Sequence, residues 1–195
     1  MAEVYKFKVQ LRDFEKIMWR EIEISSTSSM AKLAYTIIAS FYGKGTHLFC
    51  IFHDGKQFQF TYDEEMKNPK TINPSRAKLE KRNLKIGDKF FMVYDFGADW
   101  IFDIELLSIE PMARGKGTHY PYITDGQGRG IIEDSFPPQL QEYIETINKT
   151  GKPITFEPDE NHHYKWEWDY RDLDLKWLNY GFKIDIDIMA ENYKI

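Results

Sequence analysis

Apolar and polar positions alternate in two stretches near the start of the sequence. Every second residue between positions 5 and 11 is apolar, and two glutamates alternate with Arg20 and two isoleucines between positions 20 and 24. A period of two is typical of a strand that buries one face. The two stretches therefore predict a β-hairpin, whose turn lies across residues 13–16.

A helical pattern follows the second strand. Apolar residues now recur three and four positions apart: Met30, Leu33, Ala34, Ile37, Ile38 and Phe41. The serines and threonine of residues 25–29 offer side-chain oxygens for an N-cap, and Gly43 and Gly45 come after the last apolar position. Start and stop signals thus agree on a helix over residues 30–41.

Two further hairpins are predicted in the middle of the chain. Residues 48–52 and 57–62 form strands around Asp54-Gly55, a pair that favours a type I′ turn. Residues 90–95 and 100–109 form a second pair, which turns over residues 97–99. The polar segment between the hairpins predicts one short helix over residues 76–82, capped by Ser75.

The last third of the chain gives a mixed pattern. Five glycines predict a loop over residues 111–130, and a helix is predicted from Pro137 to Gly151. Residues 182–188 alternate isoleucine or phenylalanine with charged residues, which predicts a late strand, with a short helix after Asp187 as the alternative.

The order of elements predicts an α+β fold, built mainly from antiparallel hairpins with two or three helices packed on one side. Residues 1–134 are expected to form the core domain, and residues 135–195 a C-terminal helix and mixed tail packed on the same core. A length of 195 residues suffices for this burial, and an aromatic content of 16% argues against disorder.

Charge is distributed unevenly along the chain. Residues 1–118 hold 18 basic and 16 acidic side chains, whereas residues 119–195 hold 8 and 15. The basic residues concentrate between positions 67 and 89, a stretch we call the basic segment. Its candidate phosphate contacts are Lys67, Lys70, Arg76, Lys78, Lys81 and Arg82. Because few aromatics interleave with them, base stacking is not indicated, and the alternative is a solvated loop docked on the acidic tail.

Cysteine usage and hydropathy favour the cytoplasm. Cys50 is the only cysteine, so neither an internal disulfide nor a thiolate zinc cluster can form. The first residues lack the apolar core of a signal peptide, and no apolar run approaches the length of a membrane span. We therefore predict a cytoplasmic protein without membrane association.

Four short strings carry a family resemblance. They are Met18-Trp19-Arg20, His47-Leu48, the string Tyr-Asp-Phe-Gly-Ala-Asp-Trp at residues 94–100, and Glu133-Asp134. In this order they resemble the plasmid pRiA4b ORF-3-like family over residues 5–134. The resemblance implies a compact α+β fold on an antiparallel sheet. It also implies similarity to a passenger protein of certain bacterial insertion elements, a group with no agreed activity.

Several positions depart from the pattern of that family. Phe49 and Phe102 stand where members often carry histidine, and Ala98 where they carry an acidic residue. Ile123, Gly130 and Ser135 match places where members often have cysteines, and Glu21 replaces a second arginine. If relatives bind metal or perform acid–base chemistry with those groups, this chain has lost most of them.

The strings define a candidate binding cluster. Its members are Trp19, Arg20, Asp95, Asp99, Trp100, Glu133 and Asp134. Each also has an architectural interpretation: Asp95 and Asp99 suit turn chemistry, Arg20 suits a bidentate pair with either of them, and Glu133-Asp134 suits the positive end of a following helix. The alternative is an acidic cluster that binds a divalent cation.

Other motifs predict no chemistry. Asp95-Phe96-Gly97 lacks the remaining kinase elements, and the glycines of residues 126–130 lack the lysine of a phosphate loop, so a flexible surface loop is expected there. Adjacent imidazoles at His162-His163 point to opposite faces of an extended chain, so they are expected to be solvated. No catalytic residue, resident metal or cofactor is assigned.

Three functions are therefore carried forward. The first is a non-catalytic binding or accessory module that holds a protein or a small molecule on an aromatic and charged surface. The second is a nucleic-acid-associated accessory protein of mobile elements that uses the basic segment. The third is a metal-assisted hydrolase that uses Asp95, Asp99, Glu133 and Asp134.

Overall fold

The first predicted hairpin lies within a large sheet in a computed structural model, which describes residues 2–61, 69–158 and 163–193. Strand β1 (Glu3–Leu11) pairs antiparallel with β2 (Trp19–Ser25). Their facing residues Phe7 and Ile22 are both buried, as the alternation requires. The prediction of a strand pair with one buried face is confirmed.

Six further strands extend this hairpin into a mostly antiparallel sheet of eight strands. They are β3 (Phe49–His53), β4 (Lys56–Phe58), β5 (Thr71–Ile72), β6 (Lys89–Tyr94), β7 (Trp100–Pro111) and β8 (Tyr122–Gln127). The order across the sheet is β5-β4-β3-β6-β7-β1-β2-β8, with β4–β5 as the parallel pair. Asp54 and Gly55 both have positive φ angles, as the predicted type I′ turn requires.

The described residues form three helices, of which two contact strands of the large sheet and one contacts a separate small hairpin. They are α1 (Met30–Ser40), α2 (Pro137–Thr150) and α3 (Leu175–Asn192). Ser29 caps α1 by accepting a hydrogen bond from the Lys32 amide, and Gly151 ends α2 in the left-handed conformation. A small hairpin of β9 (Ile154–Phe156) and β10 (Trp166–Trp168) follows α2.

Helix α1 lies in the centre of the molecule. All of its residues except Lys32 are buried, which is typical of a helix covered on every side. One side meets β3, and another meets α3, where Tyr35 stacks on Tyr193 at 5.4 Å. The α+β prediction is confirmed, and the C-terminal helix packs on the core. None of the helices among the described residues is long and apolar enough to cross a membrane.

Three sequence predictions were wrong. Residues 182–188 form part of α3 and not a strand, because the buried residues are Leu178, Phe182, Ile186 and Met189, three or four positions apart. Residues 122–127 form the edge strand β8 and not a loop. The helix predicted over residues 76–82 is a single 3-10 turn at Leu79–Lys81, which Ser75 does not cap.

Candidate functional site

A loop across one end of the sheet builds the candidate site. It runs over residues 126–134, from the end of β8 towards α2. At Gly128 a β-carbon would lie 2.0 Å from the carbonyl oxygen of Ile17, and at Gly130 one would lie 2.3 Å from that of Phe41. Only glycine permits so close an approach between two backbones. The expectation of a flexible surface loop here was wrong, because the segment is packed against the core.

Arg20 fixes the start of this loop. The side chain has no exposed surface, and its guanidinium donates hydrogen bonds of 2.7–2.9 Å to the carbonyl oxygens of Trp19, Ser40, Gln127 and Arg129. It also lies 4.6 Å from the centre of the Phe41 ring. Burial lowers the pKa of Arg20 to about 10, which leaves the side chain charged at neutral pH.

The expected pair between Arg20 and Asp95 or Asp99 was therefore wrong. Four carbonyl oxygens surround the guanidinium where the sequence suggested a carboxylate. The Trp-Arg strand and the acidic turn lie at the same end of the sheet, but β7 and β1 separate the strands that carry them. The structure thus connects Arg20 to the loop and not to the turn.

Both tryptophans of the candidate cluster are placed by the sheet. Trp100 begins β7 and is buried opposite Tyr94, and its indole nitrogen has no hydrogen-bond partner. Trp19 begins β2, where its indole donates to the Gln127 side chain at 3.2 Å and its ring lies 5.2 Å from the Lys8 ammonium. Trp100 belongs to the core, and Trp19 is the half-buried member of the pair.

Glu133 fixes the far end of the loop. Its carboxylate accepts hydrogen bonds from the Lys44 amide at 2.6 Å, the Thr46 hydroxyl at 2.9 Å and the Tyr94 hydroxyl at 2.5 Å. The Gly45 amide donates in turn to the Tyr94 oxygen. Burial, followed by the nearby Glu133 charge, raises the pKa of Tyr94, so the phenol remains a donor to the carboxylate.

Three carboxylates of this region lie around the His47 side chain. Its Nε2 lies 3.0 Å from Asp134 and 3.7 Å from both Asp95 and Glu133. The other Asp95 oxygen accepts a hydrogen bond from the Gly97 amide, which confirms the turn chemistry expected of this residue. Asp99 is exposed, and its amide donates to the Asp95 carbonyl. The structure therefore brings Asp95, Glu133 and Asp134 together around His47.

The structure also bears on the predicted cation site and on the basic segment. Within the described parts of the chain, no set of three or more histidine, cysteine or acidic side chains could hold a metal ion. In the basic segment Lys70, Arg76, Lys78 and Lys81 are exposed, and Arg82 lies over the Phe58 ring at 5.7 Å. Lys67 and His162 lie outside the described residues.

A cleft of about 560 Å³ opens beside the loop, and we call it the aromatic cleft. Its aromatic residues are Tyr42, Tyr143, Phe156, Trp166 and Trp168. Phe156 and Trp166 face each other across the small hairpin and stack at 4.2 Å, and Tyr143 meets the edge of Phe156 at 5.5 Å. The cleft therefore offers flat apolar surface that a ring could contact.

Cationic and acidic groups share the same cleft. Lys44, Arg129, Glu133 and Asp134 all line it. Arg129 lies over the Tyr42 ring at 5.5 Å, and its distance to the nearest Asp172 oxygen is 3.9 Å. Glu133 is engaged by three donors, so the lysine and the arginine are the charged groups best placed to meet a ligand. This arrangement favours a ligand that combines a ring with a negative charge.

Sequence reasoning missed most of the aromatic cleft. Lys44, Arg129 and Trp166 come from three distant segments, and no short motif connects them. One local signal was available: Trp166 and Trp168 alternate with Glu167, and this is the pattern of the strand they form. Glu133 and Asp134 were predicted, and they line the cleft beside Lys44.

Comparison with known proteins supports the fold. A family model of plasmid pRiA4b ORF-3-like proteins matches residues 3–180, beyond the range that the sequence strings suggested. The crystal structure of a protein of unknown function from Methanosarcina mazei Go1 is similar, with a TM-score of 0.68 and 20% sequence identity. That similarity covers 90% of this chain and 96% of the other, and it shows the fold alone. No curated protein matches.

Proposed function

Because the chain belongs to the plasmid pRiA4b ORF-3-like protein family, whose fold carries no assigned chemistry, we propose a function from the surface of the chain itself. The protein is a non-catalytic binding module. Its aromatic cleft holds a small molecule that combines a flat ring with a negative charge. The proposal includes a cytoplasmic location, which a single free and buried thiol at Cys50 supports.

One observation carries the proposal: the stacked Phe156–Trp166 pair lines the same cleft as two cationic side chains. Stacking on an aromatic side chain contributes about 1–3 kcal/mol for a nucleic-acid base. A hydrogen bond to a charged group contributes about 1.5–3 kcal/mol. One ring contact and one charged contact together give about 2.5–6 kcal/mol, so we expect weak binding, with a Kd in the high micromolar to millimolar range or above.

The acidic residues of the cleft support binding without catalysis. Glu133 is occupied by the Tyr94 hydroxyl, the Thr46 hydroxyl and the Lys44 amide, so it serves the architecture of the loop. Asp134 is held by His47. A general base must reach the proton that it removes, and the Glu133 carboxylate is already committed to the protein's own donors.

Fluorescence titration with 1-anilinonaphthalene-8-sulfonate, an anion that carries a flat naphthalene ring, tests the proposal. We expect saturable binding to the folded wild-type protein. Trp166→Ala removes half of the stacked pair and should weaken binding about 5- to 100-fold. Arg129→Gln removes one cation and should weaken it about tenfold. The neutral analogue N-phenyl-1-naphthylamine should lose its dependence on Arg129 while it keeps its dependence on Trp166.

Phe96→Ala is the matched control, because this exposed aromatic residue lies in the turn between β6 and β7 and does not line the aromatic cleft. Circular dichroism confirms that each variant is folded. Equal dye affinity in wild type, Trp166→Ala and Arg129→Gln would refute the assignment of the cleft. Metal-dependent hydrolysis of phosphoesters or peptides by the purified protein would overturn the non-catalytic assignment.

A further inference from the structure

Helix α3 carries an exposed apolar stripe along the face opposite the core. Its members Trp177, Tyr180, Ile184 and Ile188 are between 50% and 77% exposed, and the Trp177 and Tyr180 rings stack at 5.6 Å. Eleven residues separate the first from the last, which is about three turns and about 16 Å of helix. A continuous patch of this kind on a small protein marks an interaction surface.

A glycine lies at the edge of this stripe, in the wall of a cleft of about 380 Å³ that Trp177 and Ile188 also line. Gly181 lies in the middle of α3, where glycine stabilises a helix less than alanine does. An added β-carbon there would meet no atom within 4 Å, so packing inside the protein does not require its absence. Small residues at such positions allow a second helix to approach closely. The glycine therefore leaves room for another backbone to approach this face.

The charges beside the stripe indicate which helix would approach it. Lys176 and Asp187 are eleven residues apart and therefore lie on one flank of the helix, near opposite ends of the stripe. Glu191 follows one turn after Asp187 on the same flank. Lys183 is already used within the chain, because its ammonium donates to the carbonyl oxygens of Thr118 and His119. The flank is basic at one end and acidic at the other, which is self-complementary when two copies lie antiparallel.

We propose that two copies of this chain associate through an antiparallel pair of α3 helices. A two-fold axis at the middle of the stripe places Trp177 against Ile188 of the partner subunit, and Gly181 against the partner's Ile184. The same axis places Lys176 beside Asp187 of the partner subunit, and this contact occurs twice. A symmetric pair buries one patch on both copies, as homodimers do.

The size of the patch determines the strength of the pair. Two aromatic side chains that bury about 150–250 Å² each, together with two isoleucines, give an interface at the small end of the range for specific complexes. The dimer is therefore in exchange with the monomer at micromolar concentrations. Sedimentation velocity of the full chain over a concentration series should show mass moving from 23.2 kDa to twice that value.

Variants of the stripe separate this dimer from other associations. Ile184→Glu should raise the dimer Kd roughly a hundredfold, because burying an unpaired charge costs several kcal/mol. Ile86→Glu is the matched control, because Ile86 is 64% exposed and lies before β6, outside α3; it should leave association unchanged. Lys176→Glu should weaken the dimer, and adding Asp187→Lys to it should restore association.

Gly181→Ala provides a second readout. Alanine favours the helix, so the monomer should melt at a higher temperature, whereas the extra methyl group should weaken self-association. A purely structural glycine would show no such opposition. A wild-type chain that remains monomeric throughout the concentration series, or association that Ile184→Glu does not weaken, would overturn the proposal.

Discussion

Replacing Arg20 with methionine tests whether this buried arginine positions the loop at the candidate site. Methionine keeps a long apolar stem but removes the guanidinium, which donates to four carbonyl oxygens at 2.7–2.9 Å. Two of these oxygens belong to Gln127 and Arg129 of the loop, and one belongs to Ser40 at the end of α1. The substitution therefore disconnects three parts of the molecule at once.

The expected loss in the free energy of unfolding follows from those four hydrogen bonds. A hydrogen bond from a charged donor contributes about 1.5–3 kcal/mol, so four bonds set an upper bound of roughly 6–12 kcal/mol. Removing the charge also recovers its burial penalty, which is several kcal/mol. The difference predicts a loss of about 3–5 kcal/mol, a large part of the roughly 5–15 kcal/mol that stabilises a typical protein.

Urea denaturation followed by circular dichroism measures this loss, with Arg12→Met as the control. Arg12 forms a bidentate pair with Asp103 on the surface and lies over Phe91, so its loss should cost only about 0.2–1 kcal/mol. Amide hydrogen exchange should accelerate first in residues 127–131 of the Arg20 variant. A stability loss no larger than that of the control would refute the assigned role.

Three further predictions concern the loop, the thiol and the basic segment. Gly128→Ala should cost roughly 3 kcal/mol or more in a urea titration, because a β-carbon would overlap the Ile17 carbonyl; Gly115→Ala, which has open space, should cost about 1–2 kcal/mol. Burial raises the pKa of Cys50 to about 12, so above pH 9 only the unfolded thiol ionises. Because the unfolded thiol is only partly ionised near its ordinary pKa, the free energy of unfolding should then fall by about 1 kcal/mol between pH 9 and 10, and Cys50→Ala should flatten this slope. If DNA binds the basic segment, its affinity should fall steeply with salt in a shift assay, and Lys78→Glu with Lys81→Glu should reduce the log–log slope by about 2; a slope that does not change would contradict phosphate contacts there.

Short-range patterns were sufficient for most of the sheet and for α1. The first hairpin, the Asp54-Gly55 turn and the helix at Met30–Ser40 each follow from periodicity and turn chemistry within about fifteen residues. Alternation misled us in α3, because Ile184 and Ile188 are exposed. The sequence suggested that they continue a buried strand face with Phe182 and Ile186. Apolar residues on the outer face of a helix hide its period of 3.6 residues, so the pattern could not distinguish a helix from a strand.

The site was harder to predict, since its contacts depend on groups that leave no mark in the sequence. Arg20 was expected to find a carboxylate, yet its partners are backbone carbonyls, which every residue carries. The aromatic cleft likewise joins Tyr42, Arg129 and Trp166, more than 120 positions apart at the extremes. Turn chemistry at Asp95 was predictable because the amides that it accepts from lie within three residues.

Most residues of the family strings and most residues of the cleft have separate tasks, and only Glu133 and Asp134 belong to both sets. Arg20 holds the start of the loop, Tyr94 and Glu133 hold its end, and Asp95 shapes the turn beside them. Most of these side chains are buried, so their role is to position a wall of the cleft. The groups that we propose face a ligand, Lys44, Arg129 and Trp166, lie outside the strings. Substitutions at these positions should alter what the cleft binds while the anchors keep the wall in place, because binding side chains on a rigid support vary without disturbing the core.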